Sequence, residues 1–114
     1  MSTNESQETP VLDVLQKMTM DSLEASTLDA ESVMVARIAA LVAVDAPPIS
    51  YLVNLGVADE AGVDAETVQG ILIAVAPIVG TARVASAATK MVRALGLALA
   101  MEDAELEESK ATAS

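Results

Sequence analysis

Three sets of side chains in this 114-residue chain have the types and spacing to do chemistry, and the sequence contains no cysteine and no histidine to join them. The first set is Ser50, Tyr51 and Asn54. Ser50 and Asn54 are four apart, so on a helix they share a face. That grouping suits a small polar pocket that binds a ligand by hydrogen bonds. The alternative gives each residue a packing role: a capping serine, an interfacial tyrosine, and a buried asparagine bonded to backbone. The second set is Arg83, Lys90 and Arg93, in a stretch from Thr67 to Met101 that holds no acid. These cations could receive a carboxylate ligand, or they could pair with the surplus acids of this chain or a neighbouring copy. The third set, Asp59, Glu60, Asp64 and Glu66, straddles a helix end and a helix start. Capping and helix dipoles explain acids at those places. A calcium loop needs denser oxygen spacing and a closing bidentate glutamate, which are missing.

Without thiol or imidazole, disulfides, Cys or His metal sites, cysteine nucleophiles and imidazole acid–base catalysis are excluded. No cofactor is expected. A serine with no neighbouring base is a poor nucleophile. The formal net charge of −11, from 6 Lys+Arg against 17 Asp+Glu, argues against nucleic acid and against anionic membrane surfaces. Solubility through self-repulsion, or a salt-adapted host, would each give such a bias.

The elements that must position these residues are helical. Hydrophobic residues make up 53% of the chain, yet they are mostly Ala, Val, Leu, Ile and Met, with Tyr51 as the single aromatic. Small and unbranched side chains favour closely packed helices. With so little aromatic volume, one protomer leaves apolar surface uncovered, which points to an oligomer.

Residues 1–9 are polar and read as a flexible N-terminus; they have neither the basic start nor the apolar run of a signal peptide. Residues 10–101 form a single helical domain. Pro10 opens a first helix whose stripe is Val11, Leu12, Val14, Leu15, Met18 and Leu23. Asp29 caps a second, which Asp45-Ala-Pro-Pro ends. Pro48 to Ala61 is a third, closed by Gly62 in a left-handed turn. Asp64 caps a fourth, running to about Val79. This helix is almost wholly apolar and therefore expected to be central, with Pro77 kinking or ending it. Gly80 breaks the chain, and Thr81 is expected to cap a fifth helix through Met101. Residues 102–114 read as an acidic flexible tail. The methionines are expected to fill core gaps. The longest weakly charged stretch, Thr67 to Ala82, falls short of the roughly 20 apolar residues of a membrane span. No membrane span is expected, and the cytoplasm is the expected location.

The order of these signals resembles the carboxymuconolactone decarboxylase family, which includes the AhpD-type alkylhydroperoxidases. Three stretches carry the likeness. Thr27 to Leu41 is similar to the family's Leu-Asp helix start and long apolar helix. Ala58 to Val68 is similar to its Ala-Gly turn and acid-capped next helix. Gly80 to Ala88 is similar to the Gly-containing break before its last long helix. The resemblance implies a compact five-helix all-α bundle and assembly into trimers or hexamers. Redox members carry Cys-x-x-Cys-x-x-x-His at the start of the third helix. Those positions fall here at Pro47, Ser50 and Asn54, and the family's proton-transferring glutamate falls near Val35. A thiolate, a resolving sulfur and a base are all lacking. The resemblance therefore implies fold and assembly without thiol peroxidase chemistry. Three functions remain open: a non-redox homo-oligomeric binding or scaffolding protein, a decarboxylase or isomerase acting on a small organic acid, and an acidic helical adaptor for another protein. Ser50, Tyr51, Asn54 and, by the resemblance, Arg83 are the candidate ligand contacts, with a small carboxylate the candidate ligand.

Overall fold

The computed structural model describes residues 10–113, and the flexibility expected for residues 1–9 lies outside the described residues. The described residues form five helices: α1 (Pro10–Ala25), α2 (Ala30–Ala43), α3 (Pro48–Glu60), α4 (Ala65–Val79) and α5 (Thr81–Ala113). Among the described residues there is no strand.

Local chemistry sets most of the helix ends. The Asp29 carboxylate accepts the Ser32 N–H at 2.8 Å, and Asp64 accepts the Thr67 N–H at the same distance. Each side chain satisfies a donor that the first helical turn leaves open. Pro48 stands at the start of α3, where its missing N–H costs nothing. Gly62 follows α3 with φ 95°, and the Gly62 and Val63 N–H groups bond back to Asp59 and Ala58 carbonyls. Gly80, at φ 90°, separates α4 from α5. The last helix begins at Thr81 itself, so Thr81 is its first residue rather than its cap.

Helices α2 to α5 pack on one another around two apolar clusters. Val33, Met34, Ile38, Ala58, Val63 and Ile71 form one; Val42, Ala46, Tyr51, Ala87 and Ala94 form the other. Met91, Val75 and Leu55 touch both and join them. On α5 the inward row Ala87, Met91, Ala94 repeats every three or four residues, as a packed helix face requires. No charged or polar side chain is buried among the described residues, apart from the hydroxyl that Tyr51 carries inside.

Three further expectations change. Helix α4 is not central: Ile71 is its one buried residue, while Ile73 and Ile78 are 75% and 87% exposed. Its apolar content exceeds what its single packed face can cover. Helix α5 does not stop at Met101 but continues through the acidic segment to Ala113. Beyond Gly96 it meets no glycine or proline, its residues are mostly good helix formers, and Lys110 in the last turn complements the dipole. The methionines divide: Met34 is buried, whereas Met18, Met20 and Met101 are exposed.

A straight helix of 33 residues measures about 50 Å, and α5 accordingly sets the 52 Å long axis of the molecule. The radius of gyration is 16.6 Å, against about 13 Å for a compact chain of roughly 100 residues. The excess comes from helical ends that leave the packed body. By length and composition α5 is also the one described helix that could cross a membrane, over Thr81–Ala111, and little of it is covered by the rest of the protein.

Candidate functional site

Ser50, Tyr51 and Asn54 lie on α3, in its first two turns, but they do not form one pocket. The Asn54 amide donates to the Ser50 carbonyl at 2.8 Å. Tyr51 is fully buried between α2, α3 and α5, and its hydroxyl has no hydrogen-bond partner among the described residues. Burial raises its pKa, and the negative charge of Asp45 adds to the effect.

Asn54 does line an open cleft of about 320 Å³, formed where α1 crosses α2 and α3. Thr19, Ser22 and Arg37 supply its other polar groups, and Met18 and Leu41 part of its apolar wall. The Arg37 guanidinium donates one N–H to the Thr19 carbonyl at 3.0 Å. That bond ties α1 to α2 and leaves further donors on the guanidinium. Ser50, Tyr51 and Arg83 are not among the cleft residues.

Arg83 serves a different place. Its Nη1 donates to the Ala43 carbonyl at 2.7 Å, at the C-terminal end of α2. Two turns along α5, the Lys90 ammonium meets Asp45 Oδ1 at 2.9 Å and the Asp45 carbonyl at 3.2 Å. The Ser86 hydroxyl donates to the same Oδ1 at 2.7 Å. Cations at a helix C-terminus oppose the negative end of its dipole, so Arg83 and Lys90 fasten α5 to the end of α2. Asp45 itself holds φ at 55°, a left-handed conformation that aspartate tolerates better than most residues. The hydrogen bond from Lys90, then that from Ser86, keep its carboxyl below the usual carboxylate range. Asp29 and Asp64 are lowered as well, chiefly by the Ser32 and Thr67 backbone N–H groups they accept. Arg93 is exposed on α5.

The acids at Asp59, Glu60, Asp64 and Glu66 do not converge. Among the described residues no three acidic side chains are placed to hold a metal ion. In the cleft, a guanidinium, an amide and two hydroxyls can hydrogen-bond and pair with an anion, but none can take a proton at neutral pH. Sequence reasoning passed over Arg37 and Asp45. Arg37 had a visible signal, as the single cation within the apolar run Val33 to Val44. Asp45 had none, because its partners Ser86 and Lys90 lie 41 and 45 residues away.

Compared with known proteins, the chain matches no family model, no curated protein and no solved structure.

Proposed function

We propose that the protein is a non-redox, homo-oligomeric helical protein of the carboxymuconolactone decarboxylase type, a trimer or hexamer that binds or scaffolds without thiol catalysis. The observation that carries this reading is helix α1, which buries none of its residues and leaves Val11, Leu12, Val14, Leu15 and Met18 between 50% and 70% exposed. Exposed apolar side chains grouped on one element mark an interaction surface. The absence of cysteine and histidine supports the second half of the reading, since peroxide reduction by a thiol has no thiol to start from. Light scattering at micromolar concentration and moderate salt should give the mass of a trimer or hexamer, and a monomer would overturn the proposal. The same preparation should reduce peroxide no faster than buffer. The reading also places the protein in the cytoplasm, and retention in washed membranes would count against it.

The cleft beside Asn54 favours a second reading, in which the oligomer binds a small carboxylate. Arg37 offers the charge complement and Met18 and Leu41 the apolar wall. Replacing Asn54 by Leu should abolish binding of a small organic acid and leave the oligomer intact. An unchanged affinity would remove Asn54 from any ligand site.

A further inference from the structure

The cleft beside Asn54 has two sides that are held unequally. Arg37 and Leu41 stand on α2 and Asn54 on α3, helices that enclose the core. Met18, Thr19 and Ser22 complete the cleft from α1. On a helix these three share a side with Leu23. That side meets the body, since Leu23 packs on the core and the Thr19 carbonyl accepts from Arg37. Yet none of the 16 residues of α1 is buried. Its length is close to that at which an isolated helix is only marginally stable in water. The place of α1 therefore depends on a short seam, and segments held by few buried contacts open locally at low cost.

Seam and cleft coincide at Arg37. Its half-buried guanidinium donates to the Thr19 carbonyl and keeps other N–H groups for a ligand. It is also the single charged group lining the cleft. One cation suits one carboxylate. A second carboxylate would lie against Met18 and Leu41 without a partner, and an unpaired charge against apolar surface is costly. Met18 is 60% exposed with the cleft open, and a short aliphatic chain would cover it.

We propose that α1 is a lid on this cleft: a monocarboxylate with a short aliphatic chain, bound by Arg37 and Asn54, holds α1 against the body, and α1 held there completes the site. The inference rests on the carboxylate-binding reading above and adds the class of ligand and what its binding does to the protein. The coupling is reciprocal. A ligand that needs the docked helix stabilises docking by as much as docking strengthens its own binding.

Hexanoate serves as the probe, with glutarate as the doubly charged comparison and hexanol as the uncharged one. Calorimetry on the full-length chain measures binding, and amide hydrogen exchange follows the segment from Met18 to Ala25. At about ten times its Kd, hexanoate should slow exchange there about tenfold, because a ligand that binds only the docked form multiplies that population by about the ratio of its concentration to Kd. In Asn54→Leu this slowing should disappear. Leu23 is not a cleft residue, so Leu23→Ala acts on binding through the lid alone. It should speed exchange on α1 and weaken hexanoate several-fold, by lowering the fraction of chains with α1 docked. Hexanoate that binds without slowing exchange on α1, or that binds Leu23→Ala as tightly as the native chain, would overturn the lid and leave the carboxylate reading standing. Glutarate or hexanol binding as tightly as hexanoate would overturn the monocarboxylate assignment. If neither hexanoate nor glutarate binds, the carboxylate reading and the lid fall together.

Discussion

Ile38 and Ile78 are the same residue type on two helices that pack against each other, α2 and α4, yet one is fully buried and the other 87% exposed. Ile38 sits in the body, where α2 is enclosed by its neighbours. Ile78 sits near the end of α4, between Pro77 and the Gly80 break, and points away from the body while Val75 and Val79 on the same helix still pack on it. The same contrast separates the body from α1 and from the far end of α5. Within the body, helix packing covers the inward rows, while Ile49, Val53 and Ile73 on the outer sides of α3 and α4 meet solvent. Outside it they repeat with the same helical period and meet solvent. Hydrophobic periodicity in this chain therefore marks apolar helix faces, and the packed body covers only part of them.

The largest expected effect tests that contrast directly. Ile38→Ala should destabilise the protein by about 2–5 kcal/mol, through lost burial and the cavity left behind. Ile78→Ala should change the unfolding free energy by less than about 0.5 kcal/mol at concentrations where copies are dissociated. Urea denaturation of both variants measures the difference. Next in size is Tyr51→Phe. The buried hydroxyl has no partner among the described residues, and an unsatisfied buried polar group costs roughly 1–3 kcal/mol. Removing it should stabilise the protein by up to about 1 kcal/mol. A loss of stability would show that the hydroxyl has a hydrogen-bond partner in solution.

The contrast also explains what could be read in the sequence. Helix starts at Asp29 and Asp64 and the turn at Gly62 were legible because a few adjacent residues decide them. The position of α4 was not. Its composition looks like that of a core helix, but in a chain that is 53% hydrophobic, apolar content does not report which faces find partners. The continuation of α5 past Met101 was misread because acids and serines suggest a solvated tail, whereas Glu, Ala and Leu also propagate a helix already started. Of the candidate site, Asn54 lies in a cleft as its spacing allowed, and Ser50 supplies the carbonyl it bonds. The second strand of evidence for that cleft, Arg37, depends on how α1 crosses α2, which no local pattern encodes.

A smaller effect links α2 and α5 within the body. The Asp45 carboxyl titrates below its ordinary value because Lys90 and Ser86 hydrogen-bond its charged form. Over the interval between the unfolded value of about 3.9 and the lower folded value, the unfolded chain binds more protons. The stabilisation is therefore complete above about pH 4 and lost as the pH falls through the folded value. Asp45→Asn removes the charge and keeps a residue that tolerates the left-handed backbone. The variant should be less stable than the native chain at neutral pH, and the two should converge in acid. Parallel stability profiles across that interval would show that Lys90 gains nothing from the pair.

The smallest expected effect on folding, and the one that bears most on the comparison, is Leu12→Ser. Leu12 shares a helix face with Leu23 but overhangs the body, so removing its apolar surface should shift the unfolding free energy of dissociated chains by no more than about 0.5 kcal/mol. Serine is also a weaker helix former than leucine, by a few tenths of a kcal/mol, and that difference accounts for most of the shift. Under the homo-oligomer reading proposed above, loss of this exposed apolar side chain should lower the average mass at micromolar concentration while the circular dichroism at low concentration stays the same. If Leu12→Ser instead costs as much as Ile38→Ala in dissociated chains, α1 packs against its own body along its whole length. The boundary between covered and uncovered faces would then lie elsewhere in the chain. If neither stability nor mass changes, the exposed row on α1 is idle, and the uncovered surface that drives assembly must be sought on α5 and at the end of α4.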